Sequence, residues 1–324
     1  MKILYATYPM AFNTPGGGEV QLLAYRKHLS ACGVNVALMD PWNPRFLDYK
    51  LVHFFSCVGG SIHFCHFIKN LGLPLVITSS LWITEETRHL YPADEIRAQL
   101  HLADRIVTNS EMESNTLSRV LDIPQDRFYA VYNGVDPLFL ERPSPKLFRQ
   151  AHDIEGPFVL NVGNVEPRKN QLALAQAMHA FPRHKLVLIG HVREPSYLQQ
   201  ILQAGLPGQV VYLGPLPHES DTLRSAYQAC DAFCLPSTLE TPGLAALEAA
   251  VQGRPLALTE VGSTREYFGT AAAYLQPNSP ESIAQAIGQA LQQTPEQTVA
   301  LAQLGASFTW PKVVTRLQTL YEQL

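Results

Sequence analysis

Short apolar runs rich in β-branched and aromatic residues recur along this chain, and most are separated by enough residues for a helix. In the first half they fall at Lys2–Tyr8, Val34–Met39, Leu51–Phe55, Pro74–Thr78, Arg105–Thr108 and Phe128–Tyr132. The second half repeats the pattern at Phe158–Val162, Lys185–Ile189, Gln209–Leu213, Ala232–Leu235, Pro255–Thr259 and Ala272–Leu275. Parallel strands must be joined by crossovers, most often helices, so this alternation predicts a parallel sheet with helices on both faces. Two such halves predict an α/β protein of two Rossmann-like, doubly wound domains. The break Glu141-Arg142-Pro143-Ser144-Pro145 marks the linker, giving expected domains of 1–150 and 151–307. The tail 308–324 carries one more amphipathic helical pattern, expected to pack back on the first domain with Trp310 anchoring a bend. Sheets of this kind bind ligands beyond the carboxyl ends of their strands, so two facing domains would enclose a cleft.

Composition narrows the function classes. With 324 residues, 46% of them apolar, there is enough chain to bury two cores, and a net charge of −4 excludes a nucleic-acid-scale basic surface. No nucleic-acid partner is expected. Five cysteines (Cys32, Cys57, Cys65, Cys230, Cys234) lack a disulfide-framework spacing, which favours a reducing compartment, the cytoplasm by default. No run reaches the roughly 20 apolar residues of a membrane span.

Three motifs carry the chemistry. Glu240 and Glu248 bracket a helix start in Leu239-Glu240-Thr241-Pro242-Gly243-Leu244, where Pro242 suits the first helical position, Thr241 can cap it, and Leu244–Val251 reads as helix before Gly253 stops it. Alone, such a pair fits a surface helix with two solvated acids. The surroundings favour a ligand, one acid meeting its reacting part and the other its hydroxyls. After the first strand of the second half comes Gly163-Asn164-Val165-Glu166-Pro167-Arg168-Lys169-Asn170, then a helix. Cations at a helix N-terminus cost about 0.3–1 kcal/mol each unless an anion binds, and a guanidinium fork, an ammonium and free amides together suit a diphosphate. The first half has a comparable glycine loop, Thr14-Pro15-Gly16-Gly17-Gly18-Glu19, ahead of an expected helix Val20–Leu29. It departs from the dinucleotide fingerprint because Gln21 occupies the third glycine's place. The cluster His63-Phe64-Cys65-His66 lies in an apolar stretch with no second ligand pair and reads as core packing, so no metal site is expected.

In order and spacing these residues resemble glycosyltransferase family 4 (glycosyl transferases group 1), whose members have the GT-B fold. The resemblance runs through Gly16-Gly17-Gly18, Ala103–Ser110, Val131–Pro137, Val162–Asn170, Pro236–Glu248, Gly253-Arg254-Pro255 and Gly262–Glu266. It implies a retaining, metal-independent hexosyltransferase that moves a sugar from a UDP- or GDP-linked donor to a glycan, a lipid-linked or a small-molecule acceptor. The donor is a substrate and no cofactor is expected. By the same resemblance, Arg168 and Lys169 would neutralise the diphosphate, Glu240 would contact the transferred sugar, and Glu248 would accept hydrogen bonds from the ribose. Amides around Thr241, Gly243 and Leu244, with Gly163 and Pro242 beside them, would line the donor, and Gly16 and Gly17 would close over it. The acceptor side would involve Asn13, Ser80 and Trp82.

The chain departs from the family pattern at three places. Ser80 stands where many members carry a histidine, Thr241-Pro242 replaces a commoner glycine-phenylalanine, and Gly163-Asn164 lacks an arginine often found there. A sugar-nucleotide epimerase or phosphorylase on the same fold and a non-catalytic nucleotide-sugar-binding scaffold are the competing readings. Peripheral membrane contact is left open, as are the sugar, the base and the oligomeric state.

Overall fold

The computed structural model describes residues 1–13 and 15–324; Thr14, the first residue of the glycine loop, lies outside them. Close contacts divide the chain into a first unit, Met1–Gly134 with Trp310–Leu324, and a second, Val135–Thr309.

The first unit holds a six-stranded parallel sheet of β1 (Lys2–Thr7), β2 (Asn35–Leu38), β3 (Leu51–Phe55), β4 (Leu75–Thr78), β5 (Arg105–Thr108) and β6 (Phe128–Ala130), ordered β2-β1-β3-β4-β5-β6. Every expected strand is present, trimmed by a residue or two at some ends. The runs are nearly continuous in apolar residues because helices cover both faces of a parallel sheet. Leu4, Val52, Phe54, Ile77 and Ile106 pack in one such layer with Ile68, Ile96 and Leu117 from the helices. The strand order reverses between β1 and β3, the place where such sheets open a crevice at their carboxyl ends.

The second unit repeats the plan with β7 (Phe158–Val162), β8 (Lys185–Ile189), β9 (Val210–Tyr212), β10 (Ala232–Leu235), β11 (Leu256–Thr259) and β12 (Ala273–Leu275). Their order is β12-β11-β10-β7-β8-β9, all parallel, so the reversal falls between β7 and β10. Asn161, buried in β7, donates to the Cys234 carbonyl of β10 at 2.8 Å and ties the two strands at that point.

The unit boundaries differ from those expected at residues 150 and 307. Glu141–Ser144 does lack regular structure, but helix Pro145–His152 packs on helix Asp221–Ala229 of the second unit. Phe148 is fully buried there, its amide bonded to Ser225 Oγ, whose hydroxyl donates to the Ser144 carbonyl. The last helix, Trp310–Glu322, packs on helix Gly17–Ala31 of the first unit, with the Trp310 indole edge-on to Tyr25 at 5.6 Å. An added Cβ at Gly134 would sit 2.8 Å from that indole, so the bend needs a glycine.

A buried polar chain fastens the last helix to the first sheet. His53, the one polar residue of β3, contacts Tyr321 Oη at 2.5 Å through Nδ1 and Thr78 Oγ1 at 2.6 Å through Nε2, and Tyr321 meets Tyr5 Oη at 2.9 Å. Burial lowers the imidazole's pKa from 6.5 to about 3. Between those values the unfolded chain binds a proton that the native chain refuses, so stability is complete above about pH 6.5 and falls below it, by about 1.4 kcal/mol per pH unit for one proton. Denaturant unfolding from neutral to mildly acidic pH should show this slope, and His53→Gln should flatten it. An unchanged slope in the variant would place the acid sensitivity elsewhere. Among the described residues no helix is long and apolar enough to cross a membrane.

Candidate functional site

At the reversal point of the second sheet, the loops leaving β7 and β10 bring Arg168, Lys169 and Glu240 together. Val162 runs into Gly163 at φ 150°, and a turn of 3-10 helix, Pro167–Lys169, presents Arg168 and Lys169. Asn170 follows in the left-handed region (φ 59°), and its amide donates to the carbonyls of Pro236 at 3.1 Å and Pro277 at 2.7 Å. The Thr238 amide bonds back to the Arg168 carbonyl at 2.9 Å, so the two loops are stitched directly. Buried Gln171 supports the first loop by donating to the Asn164 carbonyl at 2.9 Å.

The cations have partners inside the unit. Lys169 Nζ lies 2.5 Å from Glu240 Oε1, Arg168 Nη1 lies 3.9 Å from the same oxygen, and Arg168 Nη2 lies 3.1 Å from Glu166 Oε1. This corrects the argument that charge at a helix start calls for an anion. Glu166 and Glu240 already balance both cations, and both precede helix Gln171–Ala177 in a separate turn. Arg193, from the loop after β8, comes within 3.7 Å of Glu166 and adds a cation that the motif at Gly163-Asn164 does not contain.

Glu240 is 6% exposed. Burial alone would raise its carboxyl, but Lys169 and then Arg168 outweigh this and hold it below the ordinary carboxylate range. A group so held stays ionised and serves as an acceptor or counter-charge, not as a proton donor. Its backbone is clamped to the loop after β11: the Glu240 amide donates to the Val261 carbonyl at 3.1 Å, and the Ser263 amide to the Glu240 carbonyl at 3.0 Å. Gly262 (φ 106°) makes that contact sterically accessible, since a Cβ there would lie 2.0 Å from the Glu240 oxygen. Gly190 does the same for the other loop, 1.9 Å from the Gly163 oxygen by the same construction.

The helix after Glu240 runs over Leu244–Val251 as expected, but its start does not follow the expected capping. Gly243 is the N-cap at φ 85°, and Thr241-Pro242 lies outside the helix with a cis peptide. Pro242 therefore is not the first helical residue and Thr241 is not the cap. A Cβ on Gly243 would come 2.6 Å from the Leu235 side chain and 3.2 Å from Glu240 Oε2, so the loop packs too closely for another residue. Glu248 sits on the second turn, 6% exposed, with Tyr227 Oη donating to Oε2 at 2.6 Å and His218 Nε2 meeting Oε1 at 2.7 Å.

The first unit holds the other expected residues. Gly16 is the N-cap of helix Gly17–Ala31, its amide bonded to Glu19 Oε2 at 2.7 Å. Gly17 and Gly18 thus form the first helical turn, three residues earlier than the expected start at Val20, with the Glu19 carboxylate accepting from the Gly16 amide at the N-cap. A Cβ at Gly17 or Gly18 would meet nothing within 4 Å. Ser80 follows β4 at φ 43°, its hydroxyl 3.2 Å from Gln21 Oε1 and 3.4 Å from Asn109 Nδ2. Asn13 is exposed, its amide 3.6 Å from Met10 Sδ, and Trp82 is half-buried. Cys65 is buried in helix Ile62–Asn70 while His63 and His66 are exposed. Among the described residues no group of three or more His, Cys, Asp or Glu could hold a metal ion.

Sequence reasoning missed Glu113, His218 and Tyr227. Glu113 is fully buried and organises the turn after β4, accepting from Ser79 Oγ at 2.6 Å, the Leu81 amide at 3.1 Å and the Asn109 amide at 2.9 Å. The pattern Ser110-x-x-Glu113 carries a capping signal, but the glutamate reaches past the cap to Asn109. His218 and Tyr227 carry no sequence signal, since only folding brings them to Glu248.

Comparison with known proteins bears on the family and the fold. Residues 145–304 match the family described as Glycosyl transferases group 1, and residues 42–138 match Glycosyltransferase Family 4. O-antigen chain mannosyltransferase B of Escherichia coli is 29% identical over 72% of this chain, which spans 64% of that relative's length. The fold is shared with sucrose-phosphate synthase from Thermosynechococcus elongatus (TM-score 0.82, 20% identity, 100% of this chain and 99% of that one). It is likewise shared with HepE from Anabaena, solved in complex with UDP (TM-score 0.79, 20% identity, 100% of both chains). Matched in order along both halves, the chain belongs to the glycosyl transferases group 1 / family 4 proteins of GT-B fold.

Proposed function

We propose that the protein is a retaining glycosyltransferase that moves a hexosyl group from a nucleoside-diphosphate sugar to an acceptor hydroxyl without needing a metal. The observation that carries this reading is the Lys169–Glu240 pair at the reversal point of the second sheet, with Arg168 beside it and Glu248 on the second turn of the following helix. Lys169 and Arg168 supply positive charge where a diphosphate leaving group would develop negative charge, which is the task otherwise given to a divalent cation. The start of helix Leu244–Val251 adds unpaired amides and a favourable dipole end. In this mechanism the acceptor oxygen attacks the anomeric carbon on the face from which the diphosphate departs, and its proton passes to a phosphate oxygen. The anomeric carbon–oxygen bond breaks as the new one forms. Glu240, kept ionised by its cations, accepts hydrogen bonds from sugar hydroxyls, and Glu248 accepts them from the ribose. In the first unit, the family resemblance is the ground for giving Gly16 and Gly17 a role in donor binding and Asn13, Ser80 and Trp82 a role in acceptor binding.

Of the similar proteins, HepE is known in complex with UDP-glucose, and the E. coli relative is a mannosyltransferase, so UDP- and GDP-sugars are the first donors to test. Thermal unfolding with a panel of UDP-, GDP-, ADP- and dTDP-sugars should reveal the donor, because a ligand at about 100 times its Kd adds about 2.7 kcal/mol to native stability. Glu248→Ala should abolish the shift and raise the donor KM more than it lowers kcat, since a ribose contact is similar in ground and transition states. A pure kcat defect with unchanged donor KM would overturn that role. No shift with any of these donors would overturn the donor reading, whereas a shift without transfer to any of a broad panel of acceptors would favour the non-catalytic scaffold.

A further inference from the structure

Glu248 is occupied on both oxygens by side chains of the same unit, and the two donors differ in kind. Tyr227 is fully buried, and burial followed by the Glu248 charge raises its phenol well above the ordinary range, so it stays a neutral donor. His218 is half-exposed, with its ring 5.1 Å from that of Phe139. It lies two residues before Ser220, which caps helix Asp221–Ala229. Each carboxylate oxygen has two acceptor directions, so these bonds leave one on each oxygen, matching the two hydroxyls of a ribose.

We propose that His218 is a positioning residue of the nucleotide subsite: by bonding through Nε2 to Glu248 it aims that carboxylate at a ribose diol, and its proton makes binding of a ribonucleoside-diphosphate donor pH-dependent. The proposal rests on the reading of Glu248 as the ribose contact. A protonated imidazole must present Nε2–H, whereas a neutral ring can carry its proton on Nδ1 and turn a lone pair toward the carboxylate. The charged form also places a cation in the subsite of an anionic ligand. The hydrogen bond to Glu248 is the main influence holding the imidazole above its ordinary pKa; partial burial opposes it, and the charges of Glu248, Asp136 and Glu219 add to it. The cation on the adjoining helix, Arg224, is engaged with the Glu219 carbonyl, Asp221 and Glu141. Donor binding should therefore be tighter on the acid side of the His218 titration and weaken as the proton leaves.

The test is calorimetric titration of the full chain with UDP-glucose and with GDP-mannose, whose diphosphates do not themselves titrate near neutrality, from about pH 6 to about pH 8.5. For the donor that binds, the wild type should weaken roughly three- to tenfold across that range, as expected for loss of one charge-assisted hydrogen bond. His218→Gln, which keeps an N–H donor without the charge, should bind at the weaker level throughout. A flat wild-type profile, or a variant that keeps the wild-type slope, overturns the role of His218. In either case weakened binding by Glu248→Gln leaves the ribose contact standing, so the two failures are distinguishable. Wild-type affinity in Glu248→Gln, or no binding of either donor to the wild type, overturns the ribose reading and this proposal with it.

Discussion

Replacing Lys169 with alanine is expected to lower kcat by on the order of 10²–10³ in the glycosyl transfer proposed here, the usual cost of removing one preorganised partner of a developing anion. The Lys169 side chain is 14% exposed and its ammonium lies 2.5 Å from Glu240, so it is already held in place and largely covered from water. A departing diphosphate would compete with Glu240 for that charge without waiting for a mobile side chain to arrive. The substitution should also raise the Glu240 carboxyl, because burial would then be opposed mainly by Arg168 at 3.9 Å. Circular dichroism and the unfolding midpoint should establish that the variant is folded before its kinetics are read. Near-normal turnover in a folded variant would remove Lys169 from the phosphate clamp.

The second large effect is expected at a residue that touches no substrate. Gly262→Ala should destabilise the second unit by about 2–5 kcal/mol, combining backbone strain at a positive φ with forced overlap in a packed contact. The new Cβ would fall 2.0 Å from the Glu240 carbonyl oxygen, at φ 106°, and the obstacle is backbone that cannot swing aside. Because Glu240 is held through its own amide and carbonyl to Val261 and Ser263, relief of the clash must displace the loop that aims its carboxylate. Chemical denaturation should therefore show the loss, and donor binding should fall with it. A variant with the wild-type unfolding midpoint would show that the loop yields cheaply and that Gly262 is not what sets its position.

Parts of this site are readable before folding because they depend on local chemistry. Gly163, Arg168 and Lys169 follow a strand, Glu240 precedes a helix and Glu248 lies on it, and these placements follow from hydrophobic period and breaker residues. The strands were legible because those covered on both faces are nearly continuous in apolar residues, with His53 and Asn161 as buried polar exceptions. The first turn of helix Gly17–Ala31 was misread as loop because three glycines suggest a turn, whereas the Glu19 carboxylate accepts from the Gly16 amide and the glycines enter the helix. Thr241-Pro242 looked like a cap and first helical residue, yet Gly243 caps the helix because the loop packs against Leu235 and Glu240.

The sequence by itself determined the class of fold, the repeated βα plan and the identity of the charged residues in each motif, since these rest on short-range periodicity and residue type. The pairings were decided only by tertiary structure. Whether Lys169 stands unpaired or against Glu240, which donors occupy Glu248, and that residues 135–150 join the second unit all depend on contacts between segments far apart in the chain. Such contacts are set by strand order: placing β7 beside β10 brings together loops more than seventy residues apart, and no local pattern encodes which partner a side chain will meet.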